Sequence, residues 1–171
     1  PDTTVTPAEP QETPTPAPTA TVSPSQIGPA NFAPDVNPLT GLRVEDLAVL
    51  NRRPLLIKIS DYPDVVRPQS GLSFADHVWE YIMEDKRITR YTAVYYSRAP
   101  EYTGSVRSAR LIDIEQLMPM YDGILVLSGG SLVPAGSPAG SPPRILERLL
   151  GAPFADRVVS NQTGFYEPYL K

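Results

Sequence analysis

The arginine pair in the stretch 105–110 (Ser-Val-Arg-Ser-Ala-Arg) is the feature of this sequence best suited to binding a charged ligand. Apolar residues recur at helical spacing from Leu111 onward, which predicts a helix with Ser108 as its N-cap. Arg107 and Arg110 would then flank the free N–H groups of a helix N-terminus, where the helix dipole favours an anion. Guanidinium groups bind phosphate or carboxylate in a bidentate manner, so the pattern predicts an anion site.

A structural explanation of the two arginines is slightly favoured over a ligand site, because structural arginine pairs are common. Their guanidinium groups would pair with Asp113, Glu115 or acids elsewhere and serve only the fold. An enzyme would use the arginines to clamp an anionic substrate and would also need a general base, for which Asp113, Glu80 and His77 are the candidates. Because no standard set of nucleophile, base and metal ligands accompanies the arginines, the sequence favours binding over catalysis.

The loop 67–71 (Arg-Pro-Gln-Ser-Gly) is a second candidate, since it follows a predicted strand. Its side chains Arg67, Gln69 and Ser70 offer hydrogen-bond donors at the expected carboxyl edge of a sheet, where α/β proteins bind ligands. A loop motif can also serve folding alone, and an ordinary structural loop is the favoured interpretation.

A glycine pair after another predicted strand is the third candidate and comprises Ser128, Gly129 and Gly130. The backbone N–H groups of such a turn would cradle an anion. No Lys-Ser or Lys-Thr follows the glycines, so the segment is not a P-loop, and its spacing does not fit the dinucleotide-binding fingerprint. A flexible turn is therefore favoured over a ligand site.

The chain has no cysteine and one histidine, His77. Disulfides, thiolate metal sites and a cysteine nucleophile are thereby excluded. A metal site built from several histidines is excluded as well, and any histidine-bearing triad would have to use His77. His77 is predicted to be an ordinary polar residue at the start of a strand, so we predict neither a metal nor a cofactor.

A group of six aromatic residues offers a platform on which sugars or peptides would stack. In strands with alternating burial, however, aromatic side chains usually belong to the core and to cross-strand pairs, and this is the favoured interpretation. The six residues are Trp79, Tyr81, Tyr91, Tyr95, Tyr96 and Tyr102.

Strands that alternate with helices must position these side chains. The apolar run 55–59 predicts a central strand, and the segments 78–83 and 88–96 predict a hairpin around a polar turn. The other predicted elements are short helices at 44–50 and 144–150, the helix that begins near residue 108, and strands at 123–127 and 157–160. The fold class is therefore α/β or α+β, with a mixed sheet flanked by helices.

Residues 1–30 differ in composition from the rest of the chain. They are rich in Pro, Thr, Ala and Ser, with no basic residue before Arg43 and no aromatic residue before Phe32. Such a segment cannot bury enough apolar surface to offset the entropy of ordering it, so we predict a disordered, extended stalk. Residues 31–171 are predicted to form one domain, truncated at its C-terminal end.

The net charge of −4 comes from the first part of the chain, because four of the 19 acidic residues precede Arg43. The remaining 15 acidic residues balance the 15 basic ones, so no overall basic field exists to attract nucleic acid. No apolar run is long enough to span a bilayer. A membrane would be reached only through an anchor outside this chain.

Short motifs of this sequence resemble, in the same order, those of the YerB-like lipoproteins of bacteria. The motifs lie at 37–42 (Asn-Pro-Leu-Thr-Gly-Leu), 67–73, 88–90, 106–110, 121–122 and 128–131, and the resemblance extends from about residue 37 to 166. It implies an extracytoplasmic protein lipid-anchored to the outer face of the cytoplasmic membrane, with an α/β first domain, usually a second domain, and no characterised activity.

Two positions depart from the family pattern. Gly104-Ser105 stands where the family has Gly-Pro, and Leu127-Ser128 occupies a stretch that commonly carries a histidine. If that histidine were catalytic in relatives, this chain would lack the activity. We therefore expect an envelope module that binds an anionic small molecule or an envelope protein, with an enzyme on an anionic envelope substrate as the alternative.

Overall fold

One mixed sheet forms the centre of the described part of the protein. The computed structural model describes residues 32–83, 88–130 and 144–160, so the predicted stalk lies outside the described residues. The sheet has the order β2-β3-β1-β4-β5. Its strands are β1 (Leu55–Ser60), β2 (His77–Ile82), β3 (Thr89–Tyr95), β4 (Ile124–Val126) and β5 (Val158–Val159). The predicted fold class is confirmed.

The apolar strand β1 is central, as predicted. It pairs with β3 in antiparallel fashion on one side and with β4 in parallel fashion on the other. β2 and β3 form the predicted antiparallel hairpin, whose turn residues lie outside the described part. β5 adds to β4 in parallel. A parallel β1–β4 pair gives the sheet a common carboxyl edge, where both strands end.

Short helical segments connect the strands. A π-helical turn (Asp113–Leu117) runs directly into α1 (Met118–Tyr121), and α2 (Ile145–Leu150) follows later in the chain. The predicted C-cap of α2, Gly151, is confirmed. Four 3-10 turns complete the described helical segments: Leu47–Asn51, Asp64–Val66, Leu72–Phe74 and Ala155–Arg157. No helix within the described ranges is long and apolar enough to cross a membrane.

The two faces of the sheet are covered differently. On one face, which we call the helical face, Leu56 and Val94 pack with residues of the helical segments, such as Leu117 and Leu149. On the other face, which we call the loop face, Ile59 and the β3 side chains that point to the same side of the sheet pack against the segment that precedes β2. Alternation along the strands assigns each side chain to one face.

The aromatic residues divide between the two faces for this reason. Trp79 and Tyr81 lie on the helical face, whereas Tyr91 and Tyr95 pack in the loop-face core. These four side chains therefore do not share one stacking surface; Tyr95 is buried in the core, whereas Trp79 is 36% exposed.

The predicted cap of the long helix is wrong. Helical structure begins at Leu111, and Ser108 lies in the extended segment before it. The backbone N–H of Arg110 donates to Asp113 Oδ2 at 2.7 Å, so an aspartate inside the helix satisfies the entry into its first turn. The predicted amphipathic helix at 44–50 is also shorter than expected, a 3-10 turn capped by Asp46.

Candidate functional site at the carboxyl edge of the sheet

The segment that carries the arginine motif extends the sheet at the end of β1. The backbone N–H of Ser60 donates to Ser105 O, and that of Arg107 donates to Lys58 O, both at 2.9 Å. The first half of β1 thus pairs with β4 and its second half with this segment. The strand pairing places Arg107 at the carboxyl edge of the sheet. From the sequence alone, Arg107 was expected at a helix N-terminus.

The same segment is fixed to the glycine turn after β4. Ser128 N donates to Arg107 O and Ala109 N donates to Gly129 O, each at 3.0 Å, while Ser108 Oγ donates to Ser128 O at 3.1 Å. Two of the three predicted candidate segments therefore meet in space. The backbone groups of the two segments hydrogen-bond to each other, so their side chains are the groups available to a ligand.

Arg107 is an exposed cation of this edge. Its Nε lies 3.4 Å from Ser60 Oγ, and within the described residues its guanidinium pairs with no carboxylate. The predicted structural alternative, pairing with Asp113, Glu115 or acids elsewhere, is not seen for Arg107 in the part of the chain that the structure describes. Glu115 instead forms an ion pair with Arg148 at 2.6 Å.

The remaining arginines of the edge support its backbone. Arg110 Nη1 donates to Ala109 O at 2.7 Å, and Arg90 Nη1 donates to Ser108 O at 2.9 Å. Both side chains are half-buried. Both donate to carbonyl groups of the extended segment and so help to fix it in place.

A fully buried polar cluster lies directly beneath this edge, on the helical face. Lys58 Nζ is 3.0 Å from Asp113 Oδ1 and donates to Thr92 Oγ1 at 2.6 Å. Thr92 Oγ1 donates to Asp113 Oδ1 at 2.8 Å, and Tyr81 OH donates to the same carboxylate at 3.2 Å. Lys58, Thr92 and Asp113 are 0 % exposed, so no ligand reaches them in this conformation.

Burial dominates the charge state of Lys58. Desolvation lowers the pKa of Lys58 to about 8 although Asp113 favours the charged form. The charges of Arg90 and Arg110 lower this pKa further. Asp113 is the carboxylate that pairs with Lys58 in this cluster.

The loop 67–71 lies beside the end of β1, and the side chains of Arg67 and Gln69 are used in contacts within the fold. Arg67 pairs with Asp61 at 3.0 Å, and Gln69 Nε2 donates to Asp61 Oδ1 at 3.1 Å. Burial alone would raise the pKa of Asp61, but hydrogen bonds from Arg67 and Thr89 outweigh it, and the pKa lies below its ordinary value. Ser70 pairs through its backbone with Gly104. The structure supports the favoured interpretation, a structural loop.

The glycine pair serves the fold as well. Gly129 has φ +82°, a left-handed conformation that suits glycine. A Cβ on Gly130 would lie 2.9 Å from the backbone nitrogen of Leu146 in α2, so the close approach of this helix requires a glycine.

The three proposed general bases do not face Arg107. Asp113 is buried, and both ring nitrogens of His77 are used, by Tyr121 OH at 2.7 Å and Leu39 O at 2.8 Å. Glu80 lies on the loop face. In the described ranges no three His, Cys, Asp or Glu side chains come together as metal ligands would.

Sequence reasoning missed the buried cluster, and in particular Lys58 and Thr92. The available signal was the lysine inside the apolar run Leu-Leu-Ile-Lys-Ile. A lysine in a strand that is predicted to be central must find a partner, because an isolated buried charge is too costly.

Comparison with known proteins places these residues in a family. Residues 39–135 match the family described as "Protein of unknown function (DUF3048) N-terminal domain". This chain belongs to that family. The matched range contains the whole arginine motif, the loop 67–71 and the glycine pair, so the carboxyl edge is built from the family's own segments.

One curated relative and one solved structure extend the comparison. The relative, named "Putative lipoprotein YerB", is from Bacillus subtilis (strain 168) and is 45% identical over 94 residues, which is 55% of this chain and 27% of YerB. The crystal structure of Bacillus subtilis YerB superposes with a TM-score of 0.59 at 36% identity. The match covers 75% of this chain and 38% of that one, so the chain spans much less than half the length of these relatives.

Proposed function

We propose that this chain belongs to an exported, membrane-attached lipoprotein whose folded domain binds an anionic ligand at the carboxyl edge of its sheet without transforming it. The observation that carries the proposal is Arg107, an exposed guanidinium that no described carboxylate neutralises. The extended segment that carries Arg107 is held in place by Arg90, whose guanidinium donates to Ser108 O at 2.9 Å.

The geometry favours recognition over reaction. The backbone of the arginine segment is fixed by β1 on one side and by the glycine turn on the other, so Arg107 is held on a rigid support. A rigid support loses little entropy when a ligand binds. A general base beside Arg107 would be needed for the enzymatic alternative, and the three candidates Asp113, Glu80 and His77 are directed elsewhere.

The proposed location rests on the relative and on the sequence. YerB is named as a lipoprotein, and residues 1–30 have the composition of an extended spacer. A lipid anchor before the spacer would hold the domain on the outer face of the cytoplasmic membrane. The ligand would then be an anionic small molecule or an acidic surface of an envelope protein, and not a nucleic acid.

Thermal unfolding of the purified chain in the presence of anions tests the binding site. The panel contains inorganic phosphate, glycerol phosphate, citrate and anionic wall fragments, each with the wild-type chain and with Arg107→Ala. A ligand at a hundred times its Kd stabilises the folded state by about 2.7 kcal/mol, which raises Tm by several degrees. We expect this rise for one anion class and its loss in Arg107→Ala.

Arg98→Ala is the matched control. Arg98 is also exposed and lies at the opposite edge of the sheet, where it lines a cavity of about 530 Å³ together with Asn37 and Glu45. A rise in Tm that persists in Arg107→Ala and disappears in Arg98→Ala would move the ligand to that cavity and contradict the proposal. Turnover of any panel compound by the wild-type chain would contradict its noncatalytic part.

A further inference from the structure

The strand register places a second side chain of the arginine segment on the same face as Arg107. The bridge between β1 and this segment is antiparallel, so Ser105 lies opposite Ser60 and Arg107 lies opposite Lys58. Side chains that are directly opposite in an antiparallel pair point to the same face of the sheet. Lys58 and Ser60 alternate in step with Leu56 and therefore lie on the helical face. Ser105 and Arg107 lie on that face as well.

The guanidinium of Arg107 is directed along the segment towards Ser105. Arg107 Nε lies 3.4 Å from Ser60 Oγ, one position of the register further along β1 than the residue opposite Arg107. Since Ser60 and Ser105 are opposite each other, with β-carbons about 5 Å apart, a ligand on the guanidinium is within reach of Ser105. The terminal nitrogens Nη1 and Nη2 of Arg107 have no hydrogen-bond partner among the described residues.

Of the serines next to Arg107, Ser105 has a hydroxyl group that is available to a ligand. Ser60 is 1% exposed and its Oγ donates to Tyr62 O at 2.7 Å, and the hydroxyl proton of Ser108 is donated to the glycine turn. Ser105 is exposed, and within the described ranges its hydroxyl group has no partner. One rotatable O–H donor therefore lies beside the two terminal donors of Arg107.

Three donors that converge in this way suit a ligand with three free oxygens. The two terminal nitrogens of a guanidinium bind two oxygens of an anion side by side. A carboxylate or a phosphodiester has only two charged oxygens, and the guanidinium uses both. A terminal phosphoryl group has three acceptor oxygens, and the third lies outside the plane of the guanidinium, where a hydroxyl group can donate to it.

We propose that Ser105 and Arg107 together bind the terminal phosphoryl group of a phosphate monoester. This inference rests on the anion site proposed above and narrows its ligand to one chemical class. Arg107 binds any small anion, whereas Ser105 contributes only when a third oxygen is present. Ser105 is therefore the residue that determines specificity.

Calorimetric titration of the full chain with three small anions tests the inference. Methyl phosphate offers three free oxygens, whereas dimethyl phosphate and acetate offer two each. We expect methyl phosphate to bind most tightly and Ser105→Ala to weaken its binding about three- to tenfold, because one water-exposed hydrogen bond is lost. The same substitution should leave the affinities for dimethyl phosphate and acetate unchanged. Arg107→Ala should abolish the binding of all three.

Ser105→Thr and Ser73→Ala are the matched controls. Ser105→Thr keeps the hydroxyl group and should retain most of the affinity for methyl phosphate. Ser73 is also exposed, but it lies in the segment that packs against the loop face, so Ser73→Ala should bind all three anions as the wild-type chain does. The order of the three affinities in the wild-type chain tests the same inference without any variant.

Two further ligands identify the source of the phosphoryl group. Glycerol 3-phosphate is a soluble phosphate monoester, and vesicles that contain phosphatidic acid present a phosphate monoester as a lipid headgroup. Binding of one and not the other, through Ser105 and Arg107, would support the proposal and name the source. Binding of neither would show that the site does not accept a substituted monoester and would overturn the proposal.

The possible outcomes separate this inference from the proposed function. If all three small anions bind through Arg107 with equal affinity, or if Ser105→Ala weakens all three alike, the anion site stands but selection by Ser105 is refuted. If none of them binds, or if methyl phosphate still binds to Arg107→Ala, both the proposed function and this inference are overturned.

Discussion

Lys58 is a buried charge beneath the carboxyl edge, and its pKa depends on the arginines of that edge. Its ammonium group is fully buried on the central strand and is shared by Asp113 and Thr92. The arginines above it lower its pKa, and the same electrostatic coupling means that an anion bound beside Arg107 would stabilise the charged form of Lys58. The buried cluster is therefore structural, but the pKa of Lys58 would respond to an anion bound at the site above it.

The lowered pKa of Lys58 predicts a rise of stability in alkaline solution. Below pH 8 both the folded and the unfolded chain hold this proton, and its contribution does not depend on pH. Between about pH 8 and 10.5 the unfolded chain holds the proton and the folded chain has lost it, so the free energy of unfolding rises with pH. The slope should approach about 1.4 kcal/mol per pH unit.

Urea denaturation from pH 7 to 10.5 measures this slope against the double variant Lys58→Met/Asp113→Asn, which removes both buried charges. The difference between the two chains should grow with pH as predicted. Lys58→Met alone is a poorer reference because it leaves Asp113 buried and unpaired, at a cost of about 3–5 kcal/mol. A difference that is constant with pH would show that Lys58 titrates normally.

At the scale of elements, the loop 67–71 is positioned by Gly71. Gly71 has φ +80°, and a Cβ there would lie 2.4 Å from Tyr102 O and 2.8 Å from Thr103 Oγ1. Gly41 also has a positive φ, +72°, but a Cβ there meets nothing within 4 Å. Both glycines therefore adopt the left-handed backbone conformation, but only at Gly71 would a Cβ collide with neighbouring atoms.

Alanine substitutions at both glycines separate these two effects. Gly41→Ala should cost about 1–2 kcal/mol for the left-handed backbone alone. Gly71→Ala should cost that amount and about 1–3 kcal/mol more, because backbone atoms must move to make room. Guanidinium denaturation measures both, and equal losses of stability would show that the loop is not held against Tyr102.

Strands were more predictable from the sequence than helix entries. The runs around Leu56 and Val94 carry the apolar, β-branched composition of buried strands, and both strands are present within a residue or two of the prediction. The cap at Ser108 failed because its hydroxyl found a tertiary partner, Ser128 O. The position of Arg107 at the carboxyl edge follows from a long-range strand pairing that local patterns do not encode.

At the scale of the whole molecule, a network around β2 joins distant parts of the chain. Asn37 Nδ2 donates to Asp76 Oδ1 at 2.8 Å, and His77 Nε2 contacts Leu39 O, which fixes the 37–42 motif to the start of β2. Tyr121 OH, at the end of α1, contacts both His77 and Trp79. The 37–42 and 121–122 motifs thus serve the fold, whereas the arginine motif lies at the other end of β1.

This difference predicts that the two motif groups respond differently to mutation. Tyr121→Phe removes one hydroxyl that holds two partners, so it should lower the free energy of unfolding by about 1–3 kcal/mol while leaving anion binding at Arg107 unchanged. Tyr102→Phe is the control, because Tyr102 is 74% exposed and has no comparable contact among the described residues. Trp79 emission follows unfolding directly, since its indole N–H donates to Tyr121 OH. If Tyr121→Phe lost anion binding at unchanged stability, the two ends of the domain would be functionally coupled. That result would contradict the independence of the two motif groups.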